Sequence, residues 1–588
     1  MNKREGKVGF VSGVETKDGQ TLLTIILNYQ ELRDKPLLLG EFLFLKSGQY
    51  YREDVRNYLV LVTDAFYRPV AYQDHARALA LGHLNEDGLD ENAIRQMNFL
   101  HYQVAILGVV DHSEKAAKFY PNTRTVPSLI DVAVEFVADT ELQELINVSI
   151  APEQSTKADV PLGYLQYGSA PEQARRDVHK YIDVKNFLGR RTANFGKTGL
   201  GKSNENKVIL CLVKQRFPKT SALILDLNGE YAQQTTGTTS SGLISAFTEL
   251  GIQGQIVWYT NRSVEDLPKT IVKVKPPRID FYEFPELALE LAIQRSMMMD
   301  PKVPAYLEGV YNSISEFKPM PNKMAYIYGA FAKAGLACAG RDVRLGNKTY
   351  RLPEDKDQML SDMEASSQKT NTKVKPSDDD SEIQESPGST KELFRWANRL
   401  SFLKSYHGTG LSTDLFSAVL SDLAVGRYVI VDLPSLNPEA VQFISERLAA
   451  KLFVRAQDAY ADGKLLDTLV VIEEAHNLLR DNRGVFYRLA KEGRKYGLGM
   501  LYSTQSPSGV DAEIIAQTEN FFVKHVSSEG DVNHLAKSKA VFGPPVSSFL
   551  LHEPVLGLSY VYMEPYQAFP IPVKVQLLEE VIASLKSG

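Results

Sequence analysis

Residues Gly196–Ser203 have the types and spacing of a phosphate-binding loop, G-x-x-x-x-G-K-S/T. Glycines let the backbone curl until its N–H groups point at an anion. Lys202 can reach the β- and γ-phosphates of a nucleotide, and the Ser203 hydroxyl can coordinate Mg²⁺. The sequence therefore predicts binding of a nucleotide with Mg²⁺. A glycine-rich turn without a ligand is the less favoured interpretation.

A second candidate group follows the apolar stretch Thr468–Ile472, which ends directly in Glu473 and Glu474. Phosphoryl transfer needs one acid that orients Mg²⁺ through its water shell and another that polarises the attacking water. In this arrangement Glu473 would serve the metal ion and Glu474 the water. The alternative is a pair of surface glutamates at the end of a strand.

Two further polar residues could join this chemistry. Gln505 ends the predicted strand Leu498–Gln505 and could sense the γ-phosphate. An arginine of the basic helix end Arg488–Gly497 could also reach the nucleotide of a neighbouring subunit as an arginine finger. On the residues alone, Gln505 fits a strand-end hydrogen-bonding role equally well. For such an arginine, a cationic last turn that balances the helix dipole is the favoured interpretation.

The elements around the loop must place it at the end of a strand and the start of a helix. Upstream, Asn186–Phe195 is only weakly strand-like, because two arginines and Asn194 dilute its apolar run. Downstream, Asn206–Val213 predicts a buried helix and Ser221–Asp226 a short apolar strand. This order predicts a strand–loop–helix–strand unit.

Strands and helices continue to alternate towards the end of the chain. Such alternation predicts an α/β fold with a mostly parallel, doubly wound sheet that binds ligands at the carboxyl ends of its strands. The predicted elements are a strand at Gly426–Asp432, a helix at Pro438–Arg455, and strands at Thr468–Ile472, Leu498–Gln505 and Phe521–His525.

The first 140 residues have a different pattern, because short apolar stretches alternate with turn residues such as Lys17–Gln20. Strands at this spacing predict a small β-barrel. Asp74–Met97 has helical character and is expected to be an insertion. The predicted strands are Val8–Val14, Thr21–Leu27, Leu37–Leu45, Tyr58–Val62, Tyr102–Val110 and Asp131–Phe136.

Bulk composition narrows the class of protein. The chain has 588 residues, a net charge of −6 and 44% apolar residues, so several soluble domains are expected rather than a globally basic nucleic-acid binder. The two cysteines, both expected to be buried, exclude a disulfide framework and a cysteine zinc site, which indicates the cytoplasm. We expect no membrane span, because no run of about 18 apolar residues occurs.

Any contact with DNA would therefore need a local basic surface. The candidates lie before and around the loop, and solvated surface charge explains them equally well. They are Lys180, Lys185, Arg190, Arg191, Lys197 and Lys207.

Taken together, these motifs resemble the HerA family, in the HerA/FtsK branch of P-loop motors. The resemblance rests on several segments that occur in the family's order and cover most of the chain outside 354–391. They are Gly196–Ser203 followed by Asn204, Asp226–Tyr231, Val431–Pro434, Glu473–Asn477, Glu492–Gly497 and Ser503–Gln505.

The resemblance implies a homohexameric ring that hydrolyses ATP between subunits and translocates double-stranded DNA. It also implies a nuclease or other effector partner on the barrel side, in end processing or antiphage defence. Carried over by position, Glu474 is the catalytic base, Gln505 the sensor and Arg494 the trans finger, while Ser203 and Glu473 support the metal ion. The nucleotide would be held by Gly196, Thr198, Gly199, Gly201, Lys202, Ser203 and Asn204.

The same resemblance implies a RecA-like core, and the sequence departs from the family by an insertion, because Glu354–Lys391 is rich in Ser, Asp, Glu, Lys and Thr. We expect a barrel at 1–140, a linker and entry segment at 141–185, and the P-loop half of the core at 186–285. A helical insertion would follow at 286–400, with a mobile acidic segment at 354–391, and the second half of the core at 401–588.

Two other functions fit the residues. The ring could be mainly a scaffold that assembles and activates a partner enzyme, with hydrolysis as a timer and no need for translocation. A third, weaker interpretation is a P-loop signalling NTPase that works without a ring.

Overall fold

The structure is a computed structural model, and it describes most of the chain between residues 7 and 587. The predicted helical insertion Asp74–Met97 lies outside the described residues. The described ranges are 7–17, 20–28, 37–47, 56–66, 99–111, 118–121, 132–147, 160–234, 241–260, 262, 267–297, 321–368, 393–394, 397–408, 414–432, 438–480, 484–544 and 546–587.

The chain folds into two compact units. The first unit comprises residues 1–216, 474–482 and 500–588, and the second comprises 217–473 and 483–499. Both units are therefore built from segments that are distant in sequence. The boundary falls between Glu473 and Glu474, the two acids singled out above.

The first unit begins with a closed barrel, as the strand spacing predicts. Six strands run in the order β2-β1-β7-β3-β4-β5, β2 pairs with β5 to close the barrel, and β6 is added beside β5. The strands are β1 Lys7–Lys17, β2 Gln20–Asn28, β3 Phe42–Ser47, β4 Arg56–Phe66, β5 Phe99–Asp111, β6 Lys118–Pro121 and β7 Val132–Phe136.

The barrel closes around alternate side chains of its strands. Leu23, Ile25 and Leu27 of β2 are fully buried, as are Val60 and Val62 of β4. Because successive side chains in a strand point to opposite faces, one residue in two fills the interior. The result is one hydrophobic core rather than a channel.

The rest of the first unit is a seven-stranded mixed sheet in the order β18-β10-β19-β20-β21-β8-β9. β10 is parallel to β18 and β19, and the pairs from β19 onward to β9 are antiparallel. The predicted linker 141–185 thus contains two sheet strands. The strands are β8 Val160–Gln166, β9 Ala174–Ile182, β10 Arg191–Phe195, β18 Leu498–Thr504, β19 Asn520–Val523, β20 Leu558–Met563 and β21 Ile571–Val575.

Arg175 of β9 joins this sheet to the barrel. Its guanidinium forms ion pairs with Glu41, just before β3, at 2.9 Å, and with Asp139, just after β7, at 2.8 Å. Glu41 is almost completely buried. A buried carboxylate needs a partner of this kind, so the pair fixes the barrel against the sheet.

The second unit contains a five-stranded sheet that is parallel throughout, in the order β13-β12-β16-β11-β17. The strands β16, β11 and β17 are buried along their whole length, as their apolar sequences predict. The strands are β11 Ser221–Asp226, β12 Ile256–Tyr259, β13 Val272–Lys275, β16 Tyr428–Asp432 and β17 Thr468–Ile472.

The helices described for the first unit include α2, which follows the phosphate loop. They are α1 Asp139–Leu145, α2 Lys202–Arg216, α10 Ala512–Ala516, α11 Glu529–Ser538, α12 Val546–His552 and α13 Leu578–Ser587. Those described for the second unit are α3 Leu243–Glu249, α4 Pro285–Met297, α5 Pro321–Lys333, α6 Lys356–Gln368, α7 Leu415–Ala424, α8 Pro438–Ala461 and α9 Val485–Glu492.

The predicted insertion 286–400 holds α4, α5, α6 and a hairpin of β14 Arg341–Leu345 and β15 Lys348–Leu352. Within the acidic segment predicted to be mobile, α6 is a packed helix whose Met359 and Met363 are fully buried. Residues 369–392 lie outside the described residues.

Both cysteines are free thiols. Cys211 is buried in α2, as predicted, and burial raises the pKa of its thiol to about 12. Cys338 is only half-buried, so the prediction that it is a core residue was wrong. Across the described part of the chain, the helices are too short or too polar to cross a bilayer.

Candidate functional site

The phosphate loop runs from the carboxyl end of β10 to the start of α2. Gly196, Gly199 and Gly201 have φ values of 147°, 85° and 95°, a region that side chains rarely allow. A Cβ atom on Gly196 would lie 2.6 Å from Cβ of Lys524, so only glycine fits there. The backbone therefore has the curled form that places successive N–H groups around an anion.

Neighbouring strands hold the two ends of this loop. Gly196 N–H donates to the Thr504 carbonyl at 3.2 Å, and Lys197 N–H donates to the His525 carbonyl at 2.9 Å. The Lys202 ammonium donates to the Gly196 carbonyl at 2.7 Å, so it lies across the mouth of the loop. The loop is thus fixed between β18 and β19.

Asn194, which weakens the strand pattern in the sequence, has a structural role at the loop. Its side-chain amide donates to the Lys202 carbonyl at 3.1 Å and to Asn206 Oδ1 at 3.0 Å. Both asparagines are fully buried. Asn194 therefore ties the end of β10 to the first turn of α2, and a buried polar residue near a predicted loop is the signal that could have identified it.

The arginines of this segment are paired rather than available to a ligand. Arg191 forms a bidentate ion pair with Glu519, with contacts of 3.0 and 2.7 Å. Arg190 donates to the Tyr566 hydroxyl at 2.8 Å and stacks on its ring. These pairings explain how a strand that begins with Arg191 and follows Arg190 can lie inside a sheet.

The basic DNA-contacting surface suggested by the sequence does not form as one patch. Lys180 and Lys207 are buried. Burial lowers the pKa of Lys180 to about 7, and its ammonium donates to the Ile146 carbonyl. With the two arginines paired as well, only Lys185 and Lys197 of the six candidates are exposed.

Glu474 has an unusual backbone conformation, with φ 44° and ψ 47°. Left-handed geometry costs a non-glycine residue about 1–3 kcal/mol and is most common at functional sites. Its Oε2 atom is buried and has no hydrogen-bond partner among the described residues. His476 Nδ1 lies 3.4 Å from this oxygen and 2.9 Å from the Thr504 hydroxyl.

Gln505 reaches the phosphate loop directly. Its Oε1 atom accepts a hydrogen bond of 2.8 Å from the Thr198 hydroxyl. Because Gln505 follows β18, this bond links the end of one strand to the loop that follows its neighbour, β10. Three predicted site residues of the first unit thus form hydrogen bonds within or to the phosphate loop: Thr198, Lys202 and Gln505.

A buried charged group lies behind the loop and was not predicted from the sequence. Lys524 forms an ion pair with Glu205 of α2, and Ser559 of β20 hydrogen-bonds to both. All three residues are at most 1% exposed. An acidic residue in a helix and a lysine after a strand give no sequence signal of pairing, because 319 residues separate them.

Asn204 is another predicted ligand of the nucleotide, but its side chain hydrogen-bonds to the backbone near the start of α13. Its amide donates to the Gln576 carbonyl at 3.0 Å, and its Oδ1 atom accepts from Leu578 N–H at 3.1 Å. Asn204 therefore connects the first turn of α2 to the start of α13.

In the second unit, Glu473 follows β17 and is 3% exposed. Arg494 is exposed in the 3₁₀ turn Gly493–Tyr496 that follows α9. The proposed roles of both residues remain predictions.

Two aspartates end neighbouring strands of the second unit. Asp226 accepts hydrogen bonds from the backbone N–H groups of Gly229, Glu230 and Tyr231. Burial, together with the nearby charge of Asp432, raises its pKa to about 6 against the effect of these donors. Asp226 therefore shapes the loop after β11, a role that the sequence motif did not disclose.

Asp432 is held by Arg262 at 2.9 Å and by the Thr260 hydroxyl at 2.6 Å. Burial raises the pKa of Asp432, while these two partners lower it. The sequence alone gave no defined role for Asp432. In the structure it anchors the residues that follow β12.

The sequence of this chain is similar to those of known proteins. The family model described as the central domain of helicase HerA matches residues 160–452. The DNA double-strand break repair helicase HerA of Sulfurisphaera tokodaii is 27% identical over 128 residues, which cover 20% of this chain and 26% of that protein. A probable helicase of Methanocaldococcus jannaschii is 23% identical over 381 residues, 63% of this chain and 60% of that protein.

The alignments thus span less than two thirds of either curated relative. Among solved structures, VirB4 of Thermoanaerobacter pseudethanolicus is 13% identical, with 72% of this chain and 97% of that chain covered and a TM-score of 0.35. The bacterial conjugative coupling protein TrwB is 12% identical, with coverage of 75% and 92% and a TM-score of 0.37.

Proposed function

The chain belongs to the HerA family, and on that premise we propose that it is an ATP-driven motor that translocates double-stranded DNA. Translocation would couple to a nuclease or another effector, in DNA end processing or antiphage defence. The observation that carries the proposal is the built phosphate loop: three glycines with positive φ, Lys202 across its mouth, and Thr198 bonded to Gln505.

The loop's chemistry fits a magnesium-bound nucleotide. The curled backbone supplies N–H donors, and Lys202 supplies the cation that β- and γ-phosphates attract. The Ser203 hydroxyl and the Glu473 carboxylate are oxygen donors, which Mg²⁺ prefers, with phosphate and water completing its ligands. When bound, Mg²⁺ neutralises the charge that develops on the phosphates.

Glu474 is the residue we assign as the base. Its Oε2 atom is buried and has no hydrogen-bond partner among the described residues, so it retains the capacity to accept a proton from water. Gln505, bonded to Thr198, would then respond to a change in the loop when the γ-phosphate leaves.

Arg494 completes the proposal as a trans finger. Because it is exposed at a helix end, it can serve a neighbouring subunit in a homohexameric ring. In such a ring, hydrolysis requires assembly, and the N-terminal barrel offers a separate surface for the effector.

The test is ATP hydrolysis measured with and without linear duplex DNA, together with displacement of a triplex-forming strand from that duplex. We expect DNA to stimulate hydrolysis and the strand to be displaced only with hydrolysable ATP. Lys202→Ala is the control that removes phosphate binding. If the chain activates a partner enzyme equally well without DNA and displaces no strand, the scaffold function replaces the motor.

A further inference from the structure

Two large apolar side chains are exposed beside the phosphate loop. Leu556 is 52% exposed and Leu577 is 40% exposed. Leu556 precedes Gly557, whose N–H donates to the Leu200 carbonyl at 3.0 Å. Leu556 therefore lies one residue from a direct bond to the loop that would hold the phosphates.

Leu577 has the same relation to the start of α2. The residues on either side of it, Gln576 and Leu578, are the two that bond the Asn204 side chain, at 3.0 and 3.1 Å. Asn204 follows the last residue of the phosphate motif. Each leucine is thus adjacent in sequence to a residue that hydrogen-bonds to the phosphate loop or to Asn204, which follows it.

Leu556 lies just before β20 and Leu577 just after β21, and hydrogen bonds hold these strand ends together. Val575 N–H donates to the Gly557 carbonyl at 2.9 Å, and the Lys574 ammonium donates to the Leu556 carbonyl. Gly557 has φ +71°, which gives the chain a tight turn at the loop. The antiparallel register of Leu558 with Lys574, continued by two residues, places Leu556 opposite Gln576.

Gln576 adds a polar group to this apolar surface. Its Oε1 atom is buried and has no hydrogen-bond partner among the described residues. A buried acceptor without a partner is costly, and it is satisfied when a ligand brings a donor. Small-molecule sites combine an apolar wall with a few such polar groups.

We propose that Leu556, Leu577 and Gln576 form the base subsite of the nucleotide whose phosphates occupy Gly196–Ser203, and that Gln576 selects adenine. The proposal rests on the function proposed above. The two leucine side chains pack against the base, and Gln576 Oε1 accepts a hydrogen bond from the exocyclic amino group of adenine. Guanine presents a carbonyl oxygen at that position, so it would leave the acceptor without a donor.

The experiment measures dissociation constants of the full-length protein for ATP, GTP and inorganic tripolyphosphate by calorimetry with Mg²⁺. In wild-type protein we expect ATP to bind about tenfold more tightly than GTP, as one well-placed hydrogen bond allows. Leu577→Ser and Leu556→Ser should each weaken ATP and GTP binding about fivefold through lost apolar contact. Tripolyphosphate affinity should not change.

Gln576→Leu should reduce the preference for ATP over GTP to about twofold or less, again without an effect on tripolyphosphate. Leu465→Ser, which replaces a leucine of similar exposure in the second unit, is the matched control and should bind as wild type. All three leucines are exposed, so the substitutions leave the core intact.

The base subsite is refuted if the leucine variants bind ATP as tightly as wild type, or if Gln576→Leu keeps the full preference. A variant that loses tripolyphosphate and ATP affinity equally would also refute it, since the effect would then come from the loop. Failure of the proposed function looks different, because wild-type protein would bind neither ATP nor tripolyphosphate.

Discussion

Glu474 combines two costs that a structural residue would avoid. Its backbone lies in the left-handed region, and its buried Oε2 atom has no hydrogen-bond partner among the described residues. Each feature destabilises the fold by about 1–3 kcal/mol. Together they support a role in catalysis, because a glutamate that merely ends a strand at the surface would have an ordinary backbone conformation and a solvated carboxylate.

The first prediction concerns this carboxylate. Glu474→Gln should leave ATP affinity within about twofold and lower kcat by about 10²- to 10⁴-fold, since the amide keeps the shape and loses the base. Calorimetry and steady-state hydrolysis measure the two quantities. Glu529→Gln, at an exposed glutamate of α11, is the control and should keep full activity. Undiminished turnover in Glu474→Gln would remove Glu474 from the mechanism.

Among the elements, α2 depends on a buried ion pair for its position. Glu205 of α2 pairs with Lys524 after β19, and Ser559 of β20 bonds to both. Burial lowers the pKa of Lys524, while Glu205 opposes that effect. Removal of one partner leaves an uncompensated charge in the interior, whereas removal of both leaves an apolar contact.

The second prediction follows from this asymmetry. Lys524→Met should destabilise the protein by about 3–5 kcal/mol, and the double variant Lys524→Met with Glu205→Leu should recover part of that loss. Denaturant unfolding of both variants and of wild type gives the comparison. A double variant no more stable than Lys524→Met alone would contradict the prediction.

The contact of α12 with β20 contains a second titratable pair. Glu553 Oε2 accepts a hydrogen bond of 2.9 Å from the Tyr560 hydroxyl, and Phe549 stacks on the Tyr560 ring. Burial raises the pKa of Glu553 to about 7. A carboxyl group whose pKa is higher in the folded than in the unfolded state binds more protons when folded.

The third prediction is therefore a pH dependence. The free energy of unfolding should fall by roughly 2–3 kcal/mol as pH rises from about 4.5 to 7, because the folded state must give up that proton. Glu553→Gln stays neutral and should flatten this part of the profile. Unfolding midpoints measured across the range test it, and identical slopes for the two proteins would contradict it.

The whole molecule, with a net charge of −6, is not built as a general polyanion binder. Four of the six cations that the sequence offered for DNA are buried or paired in the first unit. Binding of DNA through these positions in the proposed motor would therefore depend on assembly of several chains, each with a few exposed charges. The same assembly would bring Arg494 to a neighbour's nucleotide.

The fourth prediction tests that sharing of sites. Arg494→Ala and Glu474→Gln should each abolish hydrolysis in a uniform ring. Mixed in equal amounts and reassembled, they should recover activity, since about a quarter of the interfaces would then join an intact Arg494 to an intact Glu474. Native mass measurement checks assembly in both. An Arg494 that acts within its own chain would give no recovery.

Local sequence determined most strands of the barrel, the buried strands β11, β16, β17, β18 and β19, and the helix after the loop, because apolar periodicity and turn residues act over a few positions. It also determined the phosphate loop, since the curl of its backbone depends on where its glycines lie. The family followed from motifs in a fixed order. Strand β10 is the instructive exception, because its arginines and Asn194 look unfavourable until their partners are known.

Those partners are what only the tertiary structure decided. Glu519 for Arg191, Lys524 for Glu205 and Thr198 for Gln505 all lie more than 300 residues away in the chain. A buried charge is tolerable only when folding brings its partner within hydrogen-bond distance, and local sequence carries no record of that distance. For the same reason, the left-handed backbone at Glu474 appears only once the chain around it is fixed.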